Sequence, residues 1–366
     1  MRARLFGPLS LGMALLAGPG CGGGAEEEGL PYGAWGGSAG MEVATAQERL
    51  AVFPPFEGPP ILGRASHLRV VGDEILVGES LDARIHRFGL DGEWRGSFGL
   101  KGEGPGEFRA ISDLQPMGDG TLWVGDWQNL RWIRLDQEGT LQEERPAVSL
   151  ARSLFPFSDG SFLVPVAGGG SGSGVSVARV TDPGRIPSPP RPPQDARTTS
   201  DLASWFASSS FFTSMVVAGG DAWLLQRDTV YRVPGVEEAG TAGPGSRLPE
   251  STLHPATPVF ALPEAWGDER RAQAARNFGG RAFVWLVTGI GVWENRGVVV
   301  KTGNPAGTLG YLLEPDASRG EGIRVIRLTG EVGDNFLTRA RDLQLRGDTL
   351  FAISATEVRS YRVAFP

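Results

Sequence analysis

The chain has one cysteine, Cys21, and three histidines, His67, His86 and His254, in 366 residues. A lone cysteine cannot close an internal disulfide. Three histidines in separate stretches offer little to a His-based metal site, because zinc takes three or four His, Cys or carboxylate ligands in one geometry. No block of Lys or Arg occurs, and the net charge is −7 with the signs interspersed. Nucleic acid needs a concentrated basic surface, so it is not an expected partner. After the N-terminus no apolar stretch reaches the roughly 20 residues that span a bilayer, since Gly, Pro or charge interrupts each one. An Asp-x-Asp-x-Asp-Gly loop is missing, which excludes a calcium loop of the EF-hand kind. The Gly-rich run 99–106 has no helix start after it and no Lys-Ser/Thr pair, which argues against a phosphate cradle. Gly36–Gly40 satisfies Gly-x-Ser-x-Gly around Ser38, but without the strand-to-helix turn that exposes such a serine.

What the N-terminus does contain is a secretory signal. Arg2 and Arg4 precede an apolar run from Leu5 to Ala17, then Gly18-Pro19-Gly20 and Cys21, the order of a cleavable export signal. About a dozen residues interrupted by Gly7, Pro8 and Gly12 are too short for a permanent membrane helix. Leu15-Leu16-Ala17-Gly18 before Cys21 resembles the lipobox of bacterial lipoproteins, with Pro19 and Gly20 standing between box and cysteine where the family has none. The resemblance implies lipidation at Cys21; the alternative is an ordinary signal cut nearby. Residues 22–42, with Glu26–Glu28 among glycines, cannot bury a core and read as a flexible tether. Gly22 stands where an aspartate would resemble an inner-membrane retention signal, so the expected location is the bacterial cell envelope, with the outer membrane preferred.

The rest of the chain, 43–366, is repetitive. Val77-Gly78-Glu79 recurs 47 positions on as Val124-Gly125-Asp126, and the same shift carries Asp82 to Asn129, Arg84 to Arg131, Arg87 to Arg134 and Gly92 to Gly139, without a gap. A fixed period of that length means a repeat architecture. Each copy reads as a tight turn, a short apolar strand, a polar connection, then an alternating strand (84–88 or 131–135) and a hairpin turn at Asp91-Gly92 or Glu138-Gly139. The alternation puts Ile85 and Trp132 in the core and leaves His86 as a surface or interstrand residue. Weaker copies start at Asp159, Gly220 and Gly347, and 322–331 mimics a third strand with its turn. Six strand-rich units predict an all-β fold, a six-bladed β-propeller with four-stranded antiparallel blades. The last unit, 342–365, lacks an outer strand, whereas Glu48–Phe53 is a spare one; pairing the N- and C-terminal strands would close the ring. Pro-rich insertions near 183–200 and 234–258 are expected as extended loops, and 264–277 as one short helix.

Phe98-Gly99-Leu100-Lys101-Gly102-Glu103-Gly104-Pro105-Gly106-Glu107-Phe108 resembles the Gly-x-x-Gly-x-Gly-Pro-Gly-Glu-Phe linker of bacterial six-bladed propellers similar to NHL repeats. Units three to five lack that linker. The glycines and Pro105 suit a structural turn, with Phe108 plugging between adjacent blades, and Trp123 and Trp132 fit core positions there. In such propellers the interblade linkers and the connections between middle strands share the ligand face. The resemblance therefore implies binding around Trp127, Lys101, Glu103 and Arg109. No cofactor is expected, although calcium held in the channel by carboxylates of several blades, as in propeller lactonases, is left open. Glu79 and Asp126 are its candidates, and their other reading is as backbone acceptors in the turns beside Asp82 and Asn129. The function these features favour is a non-catalytic binding or scaffold module for a protein, peptide or glycan at the envelope. The alternative is a metal-dependent hydrolase or lyase, whose inner strands would converge three or more carboxylates or histidines on the channel mouth.

Overall fold

The structure, a computed structural model, describes residues 42–53, 60–146, 154–167, 175–181, 214–226, 229–238, 241–242, 253–261, 287–294, 296–302, 308–316, 322–330, 336–337 and 340–366. The signal, Cys21, the tether, Ser38, the insertion 183–200 and the stretch 264–277 lie outside these residues. The described chain is all-β apart from a single 3-10 turn, Val236–Glu238, and two helical residues at 336–337. Its sheets form a propeller-like array.

The ungapped repeat builds the first two blades. Ala65–Val71, Glu74–Glu79, Arg84–Gly89 and Trp94–Phe98 make the first four-stranded antiparallel sheet, and Ile111–Pro116, Leu122–Asp126, Arg131–Leu135 and Leu141–Pro146 the second. Between second and third strands the chain turns through Ala83 and Leu130, which are 47 positions apart like the rest of the repeat. Both hold left-handed backbone, with φ of 54° and 51°, so the copies match in conformation as well as in sequence. A third repeated device is an arginine of the third strand paired with an acid beside the preceding hairpin: Arg87 with Glu74 at 2.7 Å, Arg134 with Asp119 at 2.6 Å, Arg179 with Asp159 at 2.8 Å and Arg232 with Asp221 at 2.6 Å.

In the third blade, Phe155–Pro156, Phe162–Ala167 and Val175–Val180 are followed by an edge drawn from far along the chain. Thr241–Ala242 runs parallel to Arg179–Val180, and Leu253–Pro255 antiparallel to Ser176–Ala178. The fourth blade has Ser214–Ala218, Asp221–Gln226, Thr229–Val233 and, at its outer edge, Thr257–Ala261. Part of the segment 234–258, expected as a loop, is thus corrected to short strands. Leu253 and Ala256 reach apolar clusters on either side of the third blade, and that burial fixes a stretch whose composition alone would leave it extended.

The remaining strands pair in one closed circuit of eight. Val287–Trp293, Gly297–Thr302, Thr308–Pro315 and Ile323–Gly330 are consecutive antiparallel neighbours, as are Asp342–Arg346, Thr349–Ile353 and Val358–Ala364. The third strand expected within 322–331 is, over Ile323–Gly330, a fourth; the third is Thr308–Pro315, buried at every position but its last, which hides the alternation that would mark it. Val43–Phe53, longer than the expected 48–53, pairs antiparallel with Val358–Ala364 and, through Val43–Ala46, parallel with Ile323–Gly330.

Apolar side chains meet between sheets. Phe108, fully buried, lies with Ala83 and Ile85 of the first blade and Ile111, Leu114 and Val124 of the second. Trp123 and Trp132 face Phe162 of the third at ring-centroid distances of 5.2 and 6.3 Å. Equivalent clusters join the third and fourth blades, the fourth blade and the strands 297–315, those strands and 342–363, and finally Phe53, Phe351 and Ile353 with Leu68, Ile75 and Phe88 of the first blade.

Because a blade is covered on both faces, Ile85 and His86, on opposite faces of the third strand, are both buried, while Arg84 at its start stays exposed. His86 is only 5 % exposed, which rules out the surface reading and leaves the interstrand one. Its Nδ1 is buried with no hydrogen-bond partner among the described residues, and burial pushes its pKa below the ordinary value. The folded protein therefore holds His86 neutral while the unfolded chain titrates near 6.5, so stability present above that pH is lost as pH falls below it. His86→Leu is expected to remove that loss: melting temperatures at pH 5 and pH 7.5 should lie closer together in the variant. An unchanged gap would count against the assignment.

Candidate basic groove

One face of the array is built by two carboxylates that hold loops together. Glu79 accepts the backbone N–H groups of Arg64 at 2.6 Å, Leu81 at 3.0 Å and Asp82 at 2.8 Å. Asp126, its repeat counterpart, accepts those of Arg109 at 3.0 Å and Ala110 at 3.1 Å, and the side-chain amide of Asn129 at 2.7 Å. Each acid thus ties the chain leading into an inner strand to the connection between middle strands. Both are buried to within 1 %, and charge-assisted bonds of this kind are about twice as strong as neutral ones. The two weak metal candidates are found as turn acceptors. Among the described residues no three His, Cys, Asp or Glu side chains gather in a group that could hold a metal ion.

The Gly-rich linker closes on itself beside them. Leu100–Lys101 pairs in parallel with Glu107–Phe108, Gly102 donates to the Phe108 carbonyl at 2.9 Å, and the Glu107 carboxylate takes the Gly104 N–H at 2.8 Å. Gly99 has φ of +94°, and a Cβ there would meet the Ala83 carbonyl oxygen and the Phe108 ring at 3.0 Å, so a side chain would be strained in conformation and tight in space. Arg131 fastens the loop by donating to the carbonyls of Gly104 and Glu107, each at 2.8 Å.

Between the linker and the first blade lies a cavity of about 470 Å³ lined by Arg64, Ser66, His67, Ser80, Leu81, Lys101, Arg109, Ala110, Ile111, Ser112, Trp127, Gln128 and Arg341. Three of the four sequence-nominated binding residues, Trp127, Lys101 and Arg109, line it. The fourth, Glu103, sits at the rim, ion-paired with Arg109 at 2.8 Å. Trp127 is 45 % exposed and Leu81 53 %. Lys101 donates to the Leu81 carbonyl at 3.0 Å, and Arg341 to that of Ala65 at 3.1 Å. Ser66 Oγ lies 2.8 Å from His67 Nδ1 and 3.1 Å from Ser80 Oγ.

Sequence reasoning missed Arg64, Arg341, His67 and the serines. A signal was present, however: arginine immediately precedes the inner strands Ala65–Val71 and Asp342–Arg346 and stands two residues before Ile111–Pro116. Each is isolated in sequence, and only the adjacency of three inner strands makes them a basic patch.

Beneath the groove those same strands are joined by charge. Arg69 reaches Asp113 at 2.7 Å and Asp342 at 2.9 Å, all three side chains being 15 % exposed or less. Burial opposes the guanidinium charge, but the two carboxylates outweigh it and raise the Arg69 pKa further. Burial pushes the Asp113 pKa up, against the pull of Arg69. Asp113 also accepts from the Gln115 side chain at 3.0 Å, and Asp342 from the Leu68 N–H at 3.0 Å.

No family model and no curated protein matches the chain. Among solved structures it is similar to a member of the DUF4221 family from Bacteroides vulgatus (8% identity, 89% of this chain and 99% of that one, TM-score 0.48). It is also similar to virginiamycin B lyase from Staphylococcus aureus (10% identity, 82% and 95%, TM-score 0.46) and to the Swd1 β-propeller domain from Myceliophteria thermophila (11% identity, 87% and 100%, TM-score 0.43).

Proposed function

We propose that this chain is an exported, lipid-anchored protein of the bacterial cell envelope, preferentially the outer membrane, whose propeller binds a ligand at the basic groove without catalysing a reaction. The observation that carries the reading is the convergence of Arg64, Arg109 and Arg341 beside exposed Trp127 in a cavity of about 470 Å³; the resemblance of the 98–108 linker to NHL-like propellers implies a ligand face there. The fold in this reading is a ring of six blades. The eight-strand circuit counts as two of them, 287–330 and 342–364 completed by Val43–Phe53, and the chain of interblade clusters from Phe108 round to Phe53 supports that count.

The same geometry disfavours the metal-dependent hydrolase or lyase. Asp113 and Asp342 are engaged by Arg69, and Glu79 and Asp126 by backbone N–H groups, so these four carboxylates already have donors.

Two variants test the two halves of the reading. Cys21→Ser is expected to move the protein from the membrane to the soluble fraction; continued membrane association would sink the lipid anchor. In capture from envelope extract, the double variant Trp127→Ala/Arg109→Ala should lose about tenfold or more of whatever the wild type retains, the size of loss expected at a binding hot spot. Equal capture by both would remove the groove from consideration.

A further inference from the structure

We infer that the ligand of this groove is an acidic oligosaccharide, one whose sugar rings carry carboxylates; the inference rests on the groove being a binding site. Three observations lead there. First, the lining is cationic: Arg64, Lys101, Arg109 and Arg341 border the cavity and, among the described residues, no Asp or Glu lines it. Guanidinium groups match carboxylates in a two-pronged geometry. The rim already displays the contact, since Arg109 holds the Glu103 carboxylate at 2.8 Å with both side chains about half exposed or more. An exposed pair of this kind contributes little, so a ligand carboxylate can take its place at small cost.

Second, much of the backbone bordering the groove is occupied. The N–H groups of Arg64, Leu81, Asp82, Arg109 and Ala110 are held by Glu79 and Asp126, the Leu81 carbonyl by Lys101, and the Ala110 carbonyl by the Trp127 N–H at 3.3 Å. A peptide recognised through its main chain needs such groups to be available. Here recognition falls to side chains.

Third, those side chains suit sugar rings. Trp127 offers a half-exposed flat apolar surface, while Ser66, Ser80 and Ser112 bring hydroxyls that both donate and accept. A pyranose ring has one apolar face and a rim of hydroxyls, so it stacks on an indole while its edge meets hydroxyls and cations.

The test is titration calorimetry of the full-length chain with tetragalacturonate, its methyl ester and tetraglutamate. Tetragalacturonate is expected to bind saturably, methyl esterification to weaken it about tenfold, and tetraglutamate to bind at least tenfold more weakly. Trp127→Ala should cost about tenfold, Trp127→Phe should restore most of it, and Arg64→Ala should cost about fivefold, all with melting temperatures near wild type. Equal binding of the methyl ester would show that charge is not read, and tighter binding of tetraglutamate would show that the ligand is a peptide; either overturns the inference. Absence of tetragalacturonate binding overturns it too. If the Trp127→Ala/Arg109→Ala variant still loses envelope capture in that case, only the ligand class has failed; if capture is unaffected, the groove itself has.

Discussion

Phe53→Ala is expected to destabilise the protein by about 3–5 kcal/mol, the usual cost of emptying a buried aromatic site, and deletion of Val43–Phe53 to cost more, removing cooperative thermal unfolding near physiological temperature. Phe53 is 1 % exposed, lies 5.3 Å from the Phe88 ring and sits directly against the Gly92 turn. It is therefore carried by the first described strand yet buried against the first blade, in a cluster with Phe351 and Val358 near the C-terminus. The deletion also strips hydrogen-bond partners from Val358–Ala364 and from Arg327–Gly330, leaving two open edges that favour aggregation. Thermal melts of both variants, followed by circular dichroism, check the expectation. A deletion chain that melts like the wild type would refute the proposed ring closure.

Arg69→Met should be nearly as damaging, by about 3–5 kcal/mol, because it strips Asp113 and Asp342 of their buried partner. The loss should also depend on pH in a definite sense. Burial already raises the folded pKa of Asp113, and removing the guanidinium, whose charge lowers it, raises it more. The folded variant then binds its proton more tightly than the unfolded chain, whose aspartates titrate near 3.9. Its stability contribution is present below about pH 4 and is lost as pH rises through the elevated folded value. Melting temperatures of variant and wild type should thus lie closest at acid pH and part towards neutrality. Curves that run parallel from pH 4 to pH 8 would show that Arg69 contributes packing alone. Adding Asp113→Asn to the variant should recover part of the deficit at neutral pH and little at acid pH.

The first two blades and the second strands of three others were legible because local chemistry marks them. A Gly-Asp or Asp-Gly turn, then a short β-branched or aromatic run, recurs at Asp159, Gly220 and Gly347 as it does at Gly72 and Gly118. The outer edge of the third blade was not legible. Its strands, Thr241–Ala242 and Leu253–Pro255, are two and three residues long and lie beyond the fourth blade's third strand, so neither periodicity nor chain order points to them. The surface alternative for His86 failed because an alternating strand is normally half solvated, whereas a blade has a neighbour on each face.

The groove was half legible. Trp127, Lys101 and Arg109 lie within one repeat and its linker, where family likeness could find them. Arg64 and Arg341 join them only when the ends of the chain meet. A single arginine before a strand carries no meaning until the strands are set side by side.

The borrowed edge of the third blade bears on the order of assembly. Its inner strands end at Val180, but the segment that covers them, 253–255, belongs to the same short stretch that then crosses to finish the fourth blade at Thr257–Ala261. A chain emerging N-terminus first must hold the third blade unfinished until residue 255 has emerged. Within six further residues both blades can then be completed together. These two blades are therefore a single step in building the protein, and a pulse-labelled chain stalled before residue 250 should expose both to protease while the first two blades are already protected.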